Sequence, residues 1–345
     1  MLTIAILGGG TMGTTHALSY ENLPEAFRVA AVSDAREEHA RDIAKRFGAE
    51  AFTSSDELLE RFTGDAVDIC LPTPLHTEYI LKALERGLHV FCEKPLALTM
   101  EEARRVLDAS RKTDRKVMVG HCIRFWPEYL ALKRYLDERT LGSLVSIVFK
   151  RIASKRKPGM AWQEWIFDEK KSGSAVIDMH IHDVDYLRFI LGEPDRIQAM
   201  LYTNRGRAEH VFSNFVYGPV VVNTEASWAY PTGSLPFLMA FTALFEKGVV
   251  TFNASEKPTF RVFREDTGQW SAPAVEYPPI RAQGTGGNVP SIYGYVNELA
   301  YFHDCVENDR AVESGSVEEA VKSLDLTIRT AEIAYRAYRG EETSA

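Results

Sequence analysis

Strand-length apolar runs alternate with amphipathic stretches through roughly the first 120 residues. Leu2–Leu7, Arg28–Ser33, Val67–Leu71, His89–Cys92 and Lys116–Gly120 are nearly unbroken apolar runs, and helical patterns lie between them. Ser54 with Glu57, and Thr99 with Glu102, have the capping-box spacing that starts a helix. Thr73-Pro74 supplies an N-cap and a first-turn proline. Strands apolar on both faces, repeated with intervening helices, predict a parallel sheet covered on both sides.

The pattern changes after Pro127. A helix is predicted over about 128–138, followed by long β-rich stretches at Leu144–Ile152, Ile197–Thr203, Glu209–Tyr217 and Val220–Tyr230. In the last, Val222, Thr224, Ala226, Trp228 and Tyr230 alternate with Asn223, Glu225 and Ser227, as in a half-buried strand. Gly218-Pro219 and Lys247-Gly248 read as hairpin turns, so this sheet is expected to be mostly antiparallel. Residues 265–290 read as loop, two helices follow at about 291–308 and 316–338, and Glu341–Ala345 is expected to fray. The fold class is therefore α/β: a doubly wound parallel sheet over residues 1–124, then an α+β domain with a large, mostly antiparallel open sheet over 125–345.

Length and charge narrow the function. At 345 residues the chain is long enough for about two domains. A net charge of −8 with no basic block gives nucleic acid no electrostatic footprint. No apolar run approaches the ~20 residues that span a bilayer, and no charged-then-apolar leader opens the sequence. Cys70, Cys92, Cys122 and Cys305 lack Cys-x-x-Cys spacing and read as core residues of a reducing compartment, the cytoplasm.

Candidate chemistry begins at Gly8-x-Gly10-Thr11-Met12-Gly13, which follows a strand, opens a helix and precedes Asp34 at the end of the second strand. Such glycines allow a tight turn and let the backbone approach a pyrophosphate, whose charge meets the helix N-terminus. Asp34 would accept the adenosine ribose hydroxyls and repel a 2′-phosphate, which favours NAD; Arg36 could instead pair that phosphate, so NADP stays open. Leu71-Pro72-Thr73-Pro74-Leu75-His76 leaves the Val67–Leu71 strand on the same side of the sheet. There Thr73 and His76 either touch a cofactor or only cap a helix. Glu93-Lys94-Pro95 closes the His89–Cys92 strand, where a lysine held between a carboxylate and a proline can reach a substrate. A plain turn would use the same residues.

A second cluster runs from Gly173 to Asp185. Ile177, Ile181, Val184 and Leu187 recur at helical spacing, which predicts one helix with Asp178, His182 and Asp185 in a stripe. A carboxylate one turn from an imidazole orients it as a general base working near neutrality. A surface ion pair would look the same. His180 and His182, two residues apart on a helix, point about 200° apart and do not chelate one ion, so no metal is expected.

With these residues in hand, the chain resembles the glucose–fructose oxidoreductase / inositol dehydrogenase (Gfo/Idh/MocA) family of NAD(P)-dependent enzymes. The resemblance rests on five ordered segments: Gly8–Gly13, Pro72-Thr73-x-x-His76, Glu93-Lys94-Pro95, Gly120-x-x-x-Arg124-Phe125-x-Pro127, and Ser172-Gly173 through Asp178, His182 and Asp185. It implies a Rossmann domain followed by an α/β domain whose open sheet forms a homo-oligomer interface, dimer or tetramer. Trp228, Tyr230, Phe237, Phe241 and Phe245 are the apolar residues expected to need that cover. It implies that Lys94, Asp178 and His182 are the catalytic group. Glu93, Lys94 and Arg124 join Leu71, Pro72, Thr73 and His76 near the cofactor. Lys94, Arg124, Trp165, Asp178, His182 and Asp185 meet the substrate. Two departures from the family pattern, His180 in place of a glycine and Ile166 in place of an arginine after Trp165, are expected to reshape the substrate pocket. The implied reaction is reversible oxidation of a secondary hydroxyl on a sugar, polyol or inositol-like substrate. The rival readings are elimination or epimerisation through transient oxidation, and a non-catalytic NAD-binding regulator.

Overall fold

In the computed structural model of the chain, the described residues are 1–155, 164–204, 206–282, 284–287 and 289–341, so the last four residues of the expected frayed end lie outside them. In chain order the strands are β1 (Leu2–Leu7), β2 (Phe27–Ser33), β3 (Glu50–Phe52), β4 (Ala66–Ile69), β5 (His89–Glu93), β6 (Val117–Gly120), β7 (Leu144–Ser154), β8 (Arg196–Asn204), β9 (Arg207–Tyr217), β10 (Val220–Tyr230), β11 (Leu238–Phe245), β12 (Gly248–Asn253), β13 (Phe260–Arg264) and β14 (Gln269–Ser271). The helices are α1 (Thr11–Tyr20), α2 (Glu37–Phe47), α3 (Ser55–Arg61), α4 (His76–Glu85), α5 (Met100–Ser110), α6 (Pro127–Glu138), α7 (Glu164–Phe167), α8 (Glu169–Ser172), α9 (Ser174–Asp178), α10 (Ile181–Leu191), α11 (Tyr293–Glu307) and α12 (Val317–Tyr338). Among the described residues no helix is long and apolar enough to cross a membrane.

The chain forms two units, Met1–Phe125 with Pro278–Lys322, and Trp126–Tyr277 with Ser323–Ala345. The sequence reading drew one break, between 124 and 125; the chain in fact returns to the first unit over Pro278–Lys322. Burial explains the return. Leu299 and Phe302 of α11 join Ile4, Ile6, Phe91 and Met118 in one core, and Val296 packs on Leu18. Helical periodicity shows that a face is apolar but not which sheet it covers.

In the first unit six strands pair in parallel in the order β3-β2-β1-β4-β5-β6, the doubly wound arrangement whose ligand crevice lies beyond the strands' carboxyl ends. Both expected N-caps form: Ser54 Oγ accepts the Glu57 amide at 3.3 Å, and Thr99 Oγ1 accepts the Glu102 amide at 3.2 Å.

In the second unit eight strands run β14-β13-β12-β11-β7-β10-β9-β8, antiparallel except where β7 meets β10. The two hairpins form at the foreseen turns, with Val220 opposite Tyr217 and Gly248 opposite Phe245. Gly248 is required there, since a Cβ would stand 2.4 Å from the Phe263 carbonyl oxygen. One face of the sheet is covered. Tyr129 of α6 stands against Phe149, Phe241 and Phe252, while Trp228 packs with Ile166, Val176 and Met179. This corrects the expectation that Trp228, Phe241 and Phe245 lie bare: all three are buried, and Phe237 packs on the same core. The exposed apolar residues belong to the opposite face, where Met200 (66% exposed), Tyr202 (55%), Phe212, Val221 and Leu244 project.

Candidate functional site

The glycine loop has the shape of a phosphate cradle. Gly8 sits at φ +100°, and a Cβ there would meet the Cys70 carbonyl oxygen at 2.6 Å. A Cβ on Gly13 would lie 1.9 Å from the Gly8 carbonyl oxygen, so α1 can start this close to β1 only with glycine. Gly10 has open space beside it and, as the N-cap of α1, supplies no side-chain acceptor to the first turn, where Thr11 and Met12 are partly buried. Outward amides of a ten-residue helix with no capping side chain suit an anion. Asp34 is tied to this loop: Oδ2 accepts the Gly9 amide at 2.9 Å and Oδ1 accepts the Arg36 amide at 2.8 Å. The Arg36 guanidinium leans on the same carboxylate at 3.7 Å. A 2′-phosphate arriving here would have to displace Asp34 from Arg36. The residues fit NAD.

The returning segment adds a contact that sequence reading missed. The Gly286 amide donates to Thr15 Oγ1 at 3.0 Å, and a Cβ on Gly286 would strike the Thr11 carbonyl oxygen at 2.1 Å. Asn22 holds Ala282, accepting its amide at 3.0 Å and donating to its carbonyl at 3.2 Å. The only signal in the sequence was the glycine-rich composition of 284–287.

At the end of β5, Glu93 and Pro95 are buried and Lys94 between them is partly exposed. The Lys94 amide donates to Glu93 Oε2 at 3.1 Å. Beneath lies a fully buried polar group. His16 of α1 faces Asp68 of β4 through Nδ1 at 2.8 Å and Glu93 through Nε2 at 3.0 Å, and the Tyr20 hydroxyl donates to Asp68 at 3.0 Å. Burial is the largest influence and opposes a charge on His16, but Asp68 and the other polar groups around the ring together lift the imidazole well above its usual pKa. Cys70, 3.3 Å from Nδ1, is pushed up by burial and stays a neutral thiol. Glu298 of α11, also fully buried, is raised by burial and then by Glu93, so it is the neutral member. Donor atoms of His16, Asp68 and Cys70, and of His16, Glu93 and Glu298, converge closely enough for an ion. A doubly protonated imidazole, however, has no lone pair to offer one.

His76 lies on the other side of the turn. It neither caps α4 nor points outward: Nδ1 is 2.8 Å from the Pro95 carbonyl oxygen and Nε2 is 2.8 Å from that of Leu71. Burial lowers its pKa, so the ring is neutral. Thr73 is buried in a single 3-10 turn, with Leu71 and Pro72 partly exposed before it. Arg124 is almost wholly buried, its guanidinium 3.9 Å from Glu319.

In the second unit the expected single helix is broken. Gly173 ends α8 and precedes α9 at φ +69°, where a Cβ would collide with Ile177 at 2.4 Å. Asp178 closes α9, Met179 and His180 form a turn in which the His180 amide reaches back to the Ala175 carbonyl, and His182 lies in the first turn of α10. Asp178 and His182 are both partly buried among buried neighbours. Asp185 is not part of a surface stripe: it is fully buried and accepts the Ser323 hydroxyl at 2.7 Å.

His180 and Ile166 were expected to shape a pocket; both are core. His180 is sealed against the sheet, with Nε2 2.7 Å from Thr224 Oγ1 and its ring stacked on Phe215. Burial, then the Arg151 charge, lowers its pKa to about 3. Asp183 beside it takes Arg151 in a bidentate, buried pair at 2.8 and 3.1 Å. Ile166 joins Ala153, Val176 and Trp228 in the core, and Trp165 packs against the same cluster.

Residues 2–121 match the family model described as oxidoreductase family, NAD-binding Rossmann fold (GFO_IDH_MocA), and residues 129–251 match the GFO/IDH/MocA C-terminal domain. The chain is similar to levoglucosan dehydrogenase of Pseudarthrobacter phenanthrenivorans, at 31% identity over 59% of this chain and 54% of that protein. It is also similar to inositol 2-dehydrogenase of Rhizobium meliloti, at 35% identity over 54% of each. The chain spans about half the length of the curated relatives it matches. Among solved structures, levoglucosan dehydrogenase in complex with NADH and levoglucosan superposes with a TM-score of 0.84 at 22% identity over 97% of both chains. A putative myo-inositol dehydrogenase from Sinorhizobium meliloti 1021 gives 0.79 at 24% identity over 98% of both. These likenesses establish the fold.

Proposed function

Because the chain belongs to the GFO/IDH/MocA family of NAD-binding Rossmann-fold oxidoreductases, we propose that it is an NAD-dependent dehydrogenase of a secondary hydroxyl on a cyclic polyol or sugar. The observation that carries this reading is the glycine cradle with Asp34 bonded to it, at the same sheet edge from which Lys94 emerges. Relatives named for levoglucosan, inositols and glucosides support the substrate class. NAD bound at the cradle supplies the hydride acceptor. The chain's residues do the rest. Asp178 orients His182, His182 takes the hydroxyl proton, and Lys94 steadies the negative charge that develops on the oxygen. Arg124 and Asp185, both buried, hold the surrounding framework and complete the proposed cofactor and substrate sides.

We place the enzyme in the cytoplasm, in keeping with its four free thiols. It associates as a dimer or tetramer through the outer sheet face that carries Met200, Tyr202, Phe212, Val221 and Leu244.

The test is a screen of cyclic polyols, aldoses and sugar acids with NAD and NADP, read as NADH or NADPH absorbance. At least one compound should drive steady production with NAD. Conversion of a substrate without net NADH would move the assignment to transient oxidation, and no turnover of any compound would favour a regulator.

A further inference from the structure

We propose that His16 and His76 are positioning residues for Lys94, gripping the Glu93-Lys94-Pro95 turn from its two sides: His16 through the Glu93 carboxylate, His76 through the Pro95 carbonyl. The proposal rests on the reading above that Lys94 touches the substrate.

A residue in the connection after a strand is ordinarily the mobile part of a fold. Here both neighbours of Lys94 are pinned. Glu93 spends one oxygen on His16 Nε2 and the other on the Lys94 amide itself, so the lysine's own backbone hangs from the held carboxylate. His16 is held in turn: Asp68 fixes its Nδ1 proton, as a second carboxylate does for orienting histidines generally, which leaves the Nε2 proton for Glu93. On the far side, the His76 ring lies between the Leu71 and Pro95 carbonyls; a neutral ring carries one N–H, and on Nδ1 that proton is donated to the Pro95 carbonyl. The supports come from α1, β4 and the start of α4, all meeting the carboxyl end of β5 within the first unit.

The two holds differ in chemistry. The groups around His16 are Asp68, Glu93, Glu298, Cys70, Tyr20 and Tyr295, and the acidic ones favour a charged ring. His76 sees two carbonyls, Glu93 and Lys94 in a buried setting that favours a neutral one. One grip is ionic, the other a neutral hydrogen bond. A reacting group displaced by 1 Å costs up to about 10²-fold in rate.

The experiment is a double-mutant cycle, run with the compound that gives the fastest NADH production by the unmodified protein. His16→Gln and His76→Gln should each lower kcat roughly 10- to 100-fold while NADH affinity stays near that of the unmodified protein and a cooperative melting transition is retained. In a Lys94→Ala background neither substitution should lower kcat further, because groups that act through one another are not additive. Losses that multiply with that of Lys94→Ala would overturn the proposal, as would full kcat in both histidine variants. Normal turnover by Lys94→Ala alone would remove the catalytic reading first, and this proposal with it. Where His16→Gln fails to fold, near-isosteric Glu93→Gln weakens the same hold and must give the same cycle.

Discussion

His16 and His180 are both sealed from solvent, one in each unit, yet their surroundings drive them to opposite charge states. His16 stands between two carboxylates and is raised; His180 faces a threonine hydroxyl, a phenylalanine ring and the field of Arg151, and is lowered to about 3. Burial alone disfavours the charge in both. The neighbours decide. Each ring also stands behind one proposed reacting residue: His16 behind Lys94 through Glu93, His180 two positions before His182 at the break between α9 and α10. The first unit therefore supports its reacting side chain with a charged network, and the second anchors its own with a neutral ring in an apolar sheet.

The largest expected effects fall on the reacting residues themselves. Lys94→Ala and His182→Ala should each lower turnover roughly 10²- to 10⁴-fold with NAD still bound, as measured by steady-state kinetics and NADH titration. A small loss in one and a large loss in the other would show that only one unit supplies acid–base chemistry.

Next comes Arg151→Met, which leaves Asp183 buried without its partner. It should destabilise the protein by about 3–5 kcal/mol in chemical denaturation and raise the pKa of His180 by removing a nearby positive charge. An unmoved His180 resonance would mean that burial alone sets its state.

Cofactor choice is a smaller effect confined to the first unit. Asp34→Ser should weaken NAD and improve NADP by about 1–3 kcal/mol in total, since Arg36 is then free of its carboxylate. Equal or better use of NADP by the unmodified protein would contradict the role given to Asp34.

The smallest effect is the pH response, and there the two histidines oppose each other. His16, raised in the folded state, gives stability that is full below about pH 6.5 and lost as pH climbs through its folded pKa. His180, lowered, gives stability that is full above about pH 6.5 and lost as pH falls towards 3. Melting temperatures across pH should show His180→Gln flattening the acid side and His16→Gln flattening the alkaline side. The reverse pattern would exchange their charge states.

Much of this was legible because it is local. Strand length, capping boxes and hairpin turns depend on neighbours in sequence, and β5, Ser54, Thr99 and the β9–β10 turn all lie where the pattern put them. The break at Met179–His180 was hidden because both residues keep right-handed helical dihedrals, so the apolar stripe runs through it nearly in phase. Alternation in β10 revealed two faces, but Trp228 is as apolar as Met200 and Phe212, and only packing tells which face the helices cover. The network under Lys94 had one faint sign: Asp68 stands inside the apolar run Val67–Leu71, and a charge in a buried strand requires a partner. Nothing local names His16 or Glu298 as its neighbours.

The central claim is that hydride leaves a secondary carbinol for NAD. It is tested most directly with the best substrate of the screen, carrying deuterium at the carbinol carbon, and mass analysis of the cofactor after turnover. The account predicts NADH bearing that deuterium in proportion to product formed. Product without labelled NADH, or deuterium retained in the product, would contradict it.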